Sequence, residues 1–227
     1  MTAGLPLIVT RADPGGAATV ARAKALGLDA RSMPLFAARA VEWAVPEGDF
    51  GALLLTSAQA VRLAGPGLAE LAGTPTYAVG AATAAAAEAA GLDIAMIGPG
   101  DAQSLIDIMA SQNVEPILWL CGRDRSAFDA GGMALAALPV YEVEPVAPPP
   151  GWAETIAAPA VLLAHSARAA ERVAGLVGTA RGHLSLVAIS GAVAEAAGGG
   201  WAEIAIAVQP DDASMLAAAH ILCQKGE

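Results

Sequence analysis

Five short segments of this chain recur in the same order about 110 residues further on, and that recurrence limits what the chain can fold into. Leu55-Thr56-Ser57-Ala58 is answered by Ala164-His165-Ser166-Ala167. Tyr77-Ala78-Val79-Gly80-Ala81-Ala82 is answered by Val187-Ala188-Ile189-Ser190-Gly191-Ala192. Pro99-Gly100-Asp101-Ala102 matches Pro210-Asp211-Asp212-Ala213, and Pro34-Leu35 matches Pro145-Val146. The run Leu7-Ile8-Val9, ending at Arg11, matches Ile117-Leu118-Trp119, ending at Arg123. An alanine-rich chain offers chance matches at any offset, but five in one order with so little drift describe a repeat. Two copies of one unit, each of roughly 110 residues, are an ordinary domain size. A ligand cleft is expected between two such units.

Within each copy, short apolar runs alternate with longer helix-compatible stretches, which places the chain in the α/β class. Predicted strands are Leu7 to Val9, Ala52 to Leu55, Thr76 to Val79, Ile94 to Ile97, Ile117 to Leu120, Ala160 to Leu163, Leu186 to Ile189 and Ile204 to Val208. Nearly all are continuously apolar, as in parallel sheets covered on both faces. A helix over Pro14 to Leu26 follows the first strand, with Asp13 as N-cap, Pro14 in the first turn and Gly27 closing it. The prolines of Val143 to Pro150 and the segment Met33 to Ala38 read as extended linkers.

Of 227 residues, 56% are hydrophobic and 15% charged, which excludes a disordered chain. The net charge of −10 argues against a partner held through a nucleic-acid backbone, which calls for a basic face. It leaves room for a small anionic ligand held by local amides and a few arginines. Two cysteines, Cys121 and Cys223, make no disulfide framework, and neither lies in a metal-binding spacing. The first ten residues lack the basic and apolar regions of a signal peptide. No apolar run reaches a membrane-spanning length. A soluble cytoplasmic protein is expected, with no membrane partner.

In parallel α/β sheets, ligands sit beyond the carboxyl ends of strands, against helix N-termini. The turns after the predicted strands therefore hold the candidate binding residues. Arg11 follows the first, where a guanidinium can hold a carboxylate bidentately. Thr56 and Ser57 follow the second; one of them caps a helix whose free amides can bind an anion. Ser166 is their counterpart. His165 beside it has no Asp or Glu nearby in sequence to complete a triad, and no G-x-S-x-G occurs. Gly80 lets backbone approach a ligand, and Thr83 offers a hydroxyl one turn on. Ser190 and Gly191 repeat the turn, with Val193 where a hydroxyl would serve. Cys121-Gly122-Arg123-Asp124-Arg125 places two arginines behind a glycine, the strongest anion signal in the chain; Cys121 itself reads as buried rather than reactive. Dinucleotide and triphosphate fingerprints are absent, as are metal-ligand clusters.

The ordered set of these turns resembles the uroporphyrinogen-III synthase family. The resemblance is carried by Val9-Thr10-Arg11, Leu54-Leu55-Thr56-Ser57-Ala58-Gln59-Ala60-Val61, Ala78-Val79-Gly80-Ala81-Ala82-Thr83-Ala84 with Ala90-Gly91-Leu92, Leu120-Cys121-Gly122-Arg123, Pro139-Val140-Tyr141, Ala188-Ile189-Ser190 and Pro210. It implies two parallel-sheet α/β domains joined by a two-stranded β linker. The first strand and helix would belong with the C-terminal part: residues 1–35 with 146–227 as one domain, 37–142 as the other, and linkers near 33–38 and 142–150.

The resemblance also implies a cofactor-free, metal-free enzyme that closes hydroxymethylbilane with inversion of ring D. Loss of the hydroxyl gives an azafulvene, attack by the substituted carbon of ring D gives a spiro intermediate, and reclosure at the other α-carbon gives uroporphyrinogen III. In this chemistry unassisted closure is fast, so orientation matters more than rate. The tyrosine that the family places at the end of the second domain matches Tyr141, the implied general acid. Ser57, Thr83 and Ser166 match polar positions of the family's site. Gly191-Ala192-Val193 departs from the family's threonines at the late turn, leaving Ser190 or backbone amides to serve. A monomer is expected. The competing reading is a non-catalytic two-domain module that binds a small anionic ligand.

Overall fold

The computed structural model describes residues 4–125 and 127–225. In chain order the first elements are β1 (Leu7–Val9), α1 (Gly15–Ala25), β2 (Ala30–Ser32), β3 (Phe36–Ala40), β4 (Ala52–Leu55), α2 (Ala58–Leu63) and a 3-10 segment (Gly65–Leu71). Then come β5 (Thr76–Ala78), α3 (Ala81–Ala89), β6 (Ile94–Ile97), α4 (Ala102–Ser111), β7 (Ile117–Gly122) and β8 (Leu135–Pro145). The chain ends with α5 (Trp152–Ile156), β9 (Ala160–Ala164), α6 (Ala167–Val177), β10 (Leu184–Ala188), α7 (Gly191–Ala197), β11 (Glu203–Ile206) and α8 (Asp212–Gln224).

The chain divides into two compact units, residues 1–37 with 145–227, and residues 38–144. β3 and β8, neighbours in one sheet, carry the chain across that division in its two directions. The first unit holds a five-stranded sheet in the order β11-β10-β9-β1-β2, with every pair parallel. The second holds β3-β8-β7-β4-β5-β6, parallel from β8 to β6. With β3 set aside, β6-β5-β4-β7-β8 is the same order as β11-β10-β9-β1-β2. The repeat read from the sequence is therefore a repeat of topology: β4 answers β9, β5 answers β10, β6 answers β11 and β7 answers β1.

The continuous apolar runs are explained by helices on both faces. In the second unit, Leu53, Leu55, Leu118 and Leu120 pack with Ala60, Val61, Leu68, Leu71 and Ala87 on one side. Their neighbours Ala52, Leu54, Ile117 and Trp119 pack with Leu105, Ile106 and Met109 of α4 on the other. Successive side chains point to opposite faces, so a strand buried on both must be apolar throughout. Each fully buried leucine contributes about 1.5–3 kcal/mol of transfer free energy. In the first unit, Leu7, Val9, Val161, Leu163 and Val187 meet Met215, Leu216, Ala219 and Leu222 of α8 on one face. Ile8, Leu162 and Leu186 alternate with them and are equally buried.

The outer strands differ from that pattern. β6 and β11 close their sheets at one edge, and Ile97 and Ile206 stay about half exposed. β2, at the opposite edge of the first sheet, has exposed Arg31 and Ser32, and its three residues carry no apolar run to betray it. β7 extends two residues past its apolar run, to Gly122, because pairing with β8 continues there. α1 begins at Gly15 with Pro14, not Asp13, as its N-cap; Asp13 stands one residue further out, and its Oδ1 accepts from the Ala17 N–H at 2.8 Å. Among the described residues no helix is long and apolar enough to cross a membrane.

Candidate active site

The second unit has a doubly-wound sheet whose strand order reverses between β7 and β4. At such a switch point the loops leave in opposite directions and open a crevice beyond the carboxyl ends. A cleft of about 370 Å³ lies there. Thr56 and Ser57 reach it from the end of β4, Trp119 and Gly122 from β7, Asp124, Arg125 and Phe128 from the loop that follows, and Tyr141 from β8. Val79, Gly100 and Ala102 complete it from the ends of β5 and β6 and the start of α4.

Local chemistry sets each side chain. Ser57 is the N-cap of α2, its Oγ accepting from the Gln59 N–H at 3.1 Å. Thr56 Oγ1 accepts from the Trp119 indole N–H at 3.0 Å. The Arg125 guanidinium lies 5.3 Å from the Trp119 ring centre, and Phe128 packs against the same indole at 4.6 Å. Gly100 has φ +115°, a conformation that favours glycine, where the chain turns from β6 into α4.

Tyr141 is placed by a defect in the sheet. Cys121 pairs with Pro139, but Gly122 pairs with Tyr141, so Val140 is an extra residue on β8. Such bulges re-aim the side chains that follow them. Beyond the bulge, the Arg123 N–H donates to the Tyr141 carbonyl at 2.8 Å. The phenol ring then lies directly over Gly122, where a Cβ would come within 2.8 Å of Cζ and 3.0 Å of the hydroxyl oxygen.

Five of the residues singled out in the sequence line this cleft: Thr56, Ser57, Gly122, Arg125 and Tyr141. Gly80, the N-cap of α3, sits beside the lining residue Val79, with extended backbone and an ordinary 3.7 Å neighbour in Gly100. Thr83 is only 5% exposed and lies on the packed face of α3. Cys121 is buried within β7, and burial pushes its thiol pKa up, the Arg125 charge opposing only in part. Arg123 turns away to Glu142, at 2.9 Å, with 61% of its side chain exposed. Trp119, Phe128, Gly100 and Ala102 also line the cleft, and the sequence did not mark them as site residues. An indole inside an otherwise aliphatic parallel strand, and a Pro-Gly turn at a strand end, were the available signals.

The remaining candidates belong to the first unit, beyond the ends of β1 and β9, between which its own strand order reverses, and of the adjoining β10. Ser166 caps α6, its Oγ accepting from the Ala169 N–H at 3.1 Å. Ser190 and Gly191 stand at the start of α7. Arg11 lies 3.9 Å from Asp212. His165 does have a carboxylate partner, contrary to the local reading: its Nε2 lies 3.1 Å from Asp212 Oδ1, brought from 47 residues away. Asp212 also accepts from Thr19 Oγ1 at 2.8 Å and from Arg22 Nε at 2.7 Å. Burial alone would raise the Asp212 pKa, but these hydrogen bonds and the Arg22 charge outweigh it and hold the carboxyl below its ordinary value. Burial lowers the pKa of His165. Among the described residues no group of three or more His, Cys, Asp or Glu side chains is placed to hold a metal ion.

The family model described as uroporphyrinogen-III synthase HemD matches residues 17–217. The chain belongs to the uroporphyrinogen-III synthase family. With that family it is a cyclising hydro-lyase of tetrapyrrole, and so haem, biosynthesis. The fold recurs in a solved structure, the uroporphyrinogen-III synthetase of Helicobacter pylori, which is 16% identical, with a TM-score of 0.67 over 96% of this chain and 99% of its own. The uroporphyrinogen III synthase of the extremely thermophilic bacterium Thermus thermophilus is 18% identical, covering 98% of this chain and 99% of its own, with a TM-score of 0.38. No curated protein sequence matches.

Proposed function

We propose that the cleft of the second unit takes part of hydroxymethylbilane and that Tyr141 is its general acid. The observation that carries this reading is the seat of Tyr141: a bulge and a bare glycine set one phenol at the rim of a crevice beyond the carboxyl ends of β4 and β7. A proton from the phenol lets the substrate hydroxyl leave as water, giving the azafulvene. Ring D then attacks through its substituted carbon, the spiro bond forms, and cleavage with reclosure at the other α-carbon yields uroporphyrinogen III. The phenolate recovers its proton when the new ring system rearomatises.

The substrate's carboxylates call for donors rather than a basic surface. Arg125 and the Thr56 and Ser57 hydroxyls supply them in this cleft. Arg11, Ser166, Ser190 and Gly191 are proposed as contacts in the first unit, and Gly80, Thr83, Cys121 and Arg123 as the frame around the second. The two compact units serve as the two domains, and the enzyme works as a cytoplasmic monomer without a cofactor. The test is product analysis: hydroxymethylbilane generated in situ, products oxidised, isomers I and III separated. Predominant isomer III is expected. Isomer I alone, formed at the spontaneous rate by the folded protein, would leave a binding module in its place.

A further inference from the structure

The Thr56–Trp119 hydrogen bond points to a role for an indole that nothing in the family reading uses. Trp119 pairs in register with Leu54 on the neighbouring strand. Leu54 and Thr56 are two residues apart, so they share a face, and the indole reaches diagonally to the threonine. An indole nitrogen can only donate, whereas a hydroxyl has one proton and two acceptor positions. At 3.0 Å the Trp119 N–H occupies one acceptor position of Thr56 Oγ1. The threonine proton is left to donate, on a side chain that lines the cleft. The Arg125 guanidinium over the same indole adds a fixed positive charge beside it. Phe128 against the ring and burial of all but 6% of Trp119 hold the indole in place.

We infer that Trp119 is a positioning residue: its N–H fixes the Thr56 hydroxyl as a donor aimed at a substrate carboxylate. The inference rests on the proposed use of this cleft. A donor that grips a carboxylate equally before and during reaction affects KM and leaves kcat unchanged. Loss of a hydrogen bond that orients a partner costs about three- to tenfold in affinity.

The test compares wild type, Trp119→Phe, Thr56→Val, the double variant and Thr56→Ser, following isomer III formation from hydroxymethylbilane. Trp119→Phe is expected to raise KM about three- to tenfold with kcat held. In the Thr56→Val background the same change should add less than about twofold, because coupled residues are non-additive. Thr56→Ser keeps the hydroxyl and should recover most of the KM lost in Thr56→Val. If Trp119→Phe unfolds the unit, benzothienylalanine at position 119 replaces N–H by sulfur in the same shape, and the same comparison is read from it. Equal losses in both backgrounds, an unchanged KM, or wild-type kinetics in Thr56→Val would overturn the inference. Wild-type protein that yields isomer I alone would sink the function instead, so the two failures are distinct.

Discussion

The Tyr141 ring occupies the space that a Cβ on Gly122 would need, with Cζ 2.8 Å from that point. Gly122 is therefore a binding surface for the phenol as much as a member of β7. Gly122→Ala forces the ring to move, and the contact is with a side chain rather than backbone, so the strand can survive. The substitution is expected to cost about 1–3 kcal/mol of stability through overpacking. Turnover should fall without a matching rise in KM. Thermal denaturation and steady-state kinetics check both; unchanged kcat would show that the seat of the ring does not matter to the reaction.

Tyr141→Phe separates the ring from its proton. The ring still packs against Gly122 and its apolar neighbours, so the denaturation midpoint should stay near wild type. Loss of a general acid typically costs about a hundredfold or more, and with spontaneous closure competing a fall in kcat of at least about tenfold is expected. The fraction of isomer I should rise in step, because unassisted closure does not invert ring D. An isomer ratio and kcat equal to wild type would remove Tyr141 as the acid.

Two arginines follow the glycine turn after β7, and the structure distinguishes them. Arg123 is paired with Glu142 and exposed, while Arg125 lines the cleft over Trp119. An exposed ion pair contributes at most about 1 kcal/mol to stability. Arg125→Ala is accordingly expected to raise KM by about tenfold, in line with loss of one charge-assisted contact. Arg123→Ala should raise it less than about twofold. Kinetics of the two variants side by side decide the matter; the reverse ranking would put the substrate on the Arg123 side of the turn.

How much of this was legible in the sequence follows from what each residue depends on. Leu53, Leu118 and Leu162 announce buried parallel strands because both faces must be apolar, and a one-dimensional run records that fully. Ser57 and Ser166 are legible because N-caps have a local signature. The bulge at Val140 is not legible, since it depends on how β8 registers against β7. Trp119 reaches the cleft across a strand boundary, and the His165–Asp212 pair joins residues whose separation only the fold closes. Arg123 and Arg125 show the same limit: spacing marks both as anion-binding, and only the turn's path decides which side chain meets Glu142.

Asp212 makes the first unit's strand reversal unlike the second's. It follows the N-cap Asp211 of α8, and Ala102 follows the N-cap Asp101 of α4 at the equivalent place. Ala102 lines an open cleft, whereas Asp212 ties together Thr19, Arg22 and His165 from other segments. An ionised carboxylate only accepts, so His165 must carry its proton on Nε2. Its Nδ1 is then buried with no hydrogen-bond partner among the described residues. A second proton there would lie unpaired and near the Arg11 and Arg22 charges, which is why burial and these charges depress the His165 pKa despite Asp212. In the unfolded chain His165 takes up its proton near pH ~6.5. Below that pH the unfolded state binds more protons, so stability present above about pH 6.5 is lost as the pH falls through the lower folded value. Asp212, also depressed, adds a further loss only below the ordinary carboxylate range near pH ~3.9. Urea denaturation is expected to show stability falling as the pH drops below about 6.5 in the wild type and a flatter profile in His165→Gln. Asp212→Asn should cost about 1–3 kcal/mol at about pH 7, because it leaves the Arg22 and Thr19 donors with a weaker acceptor. Identical slopes in wild type and His165→Gln would place the acid sensitivity in another group.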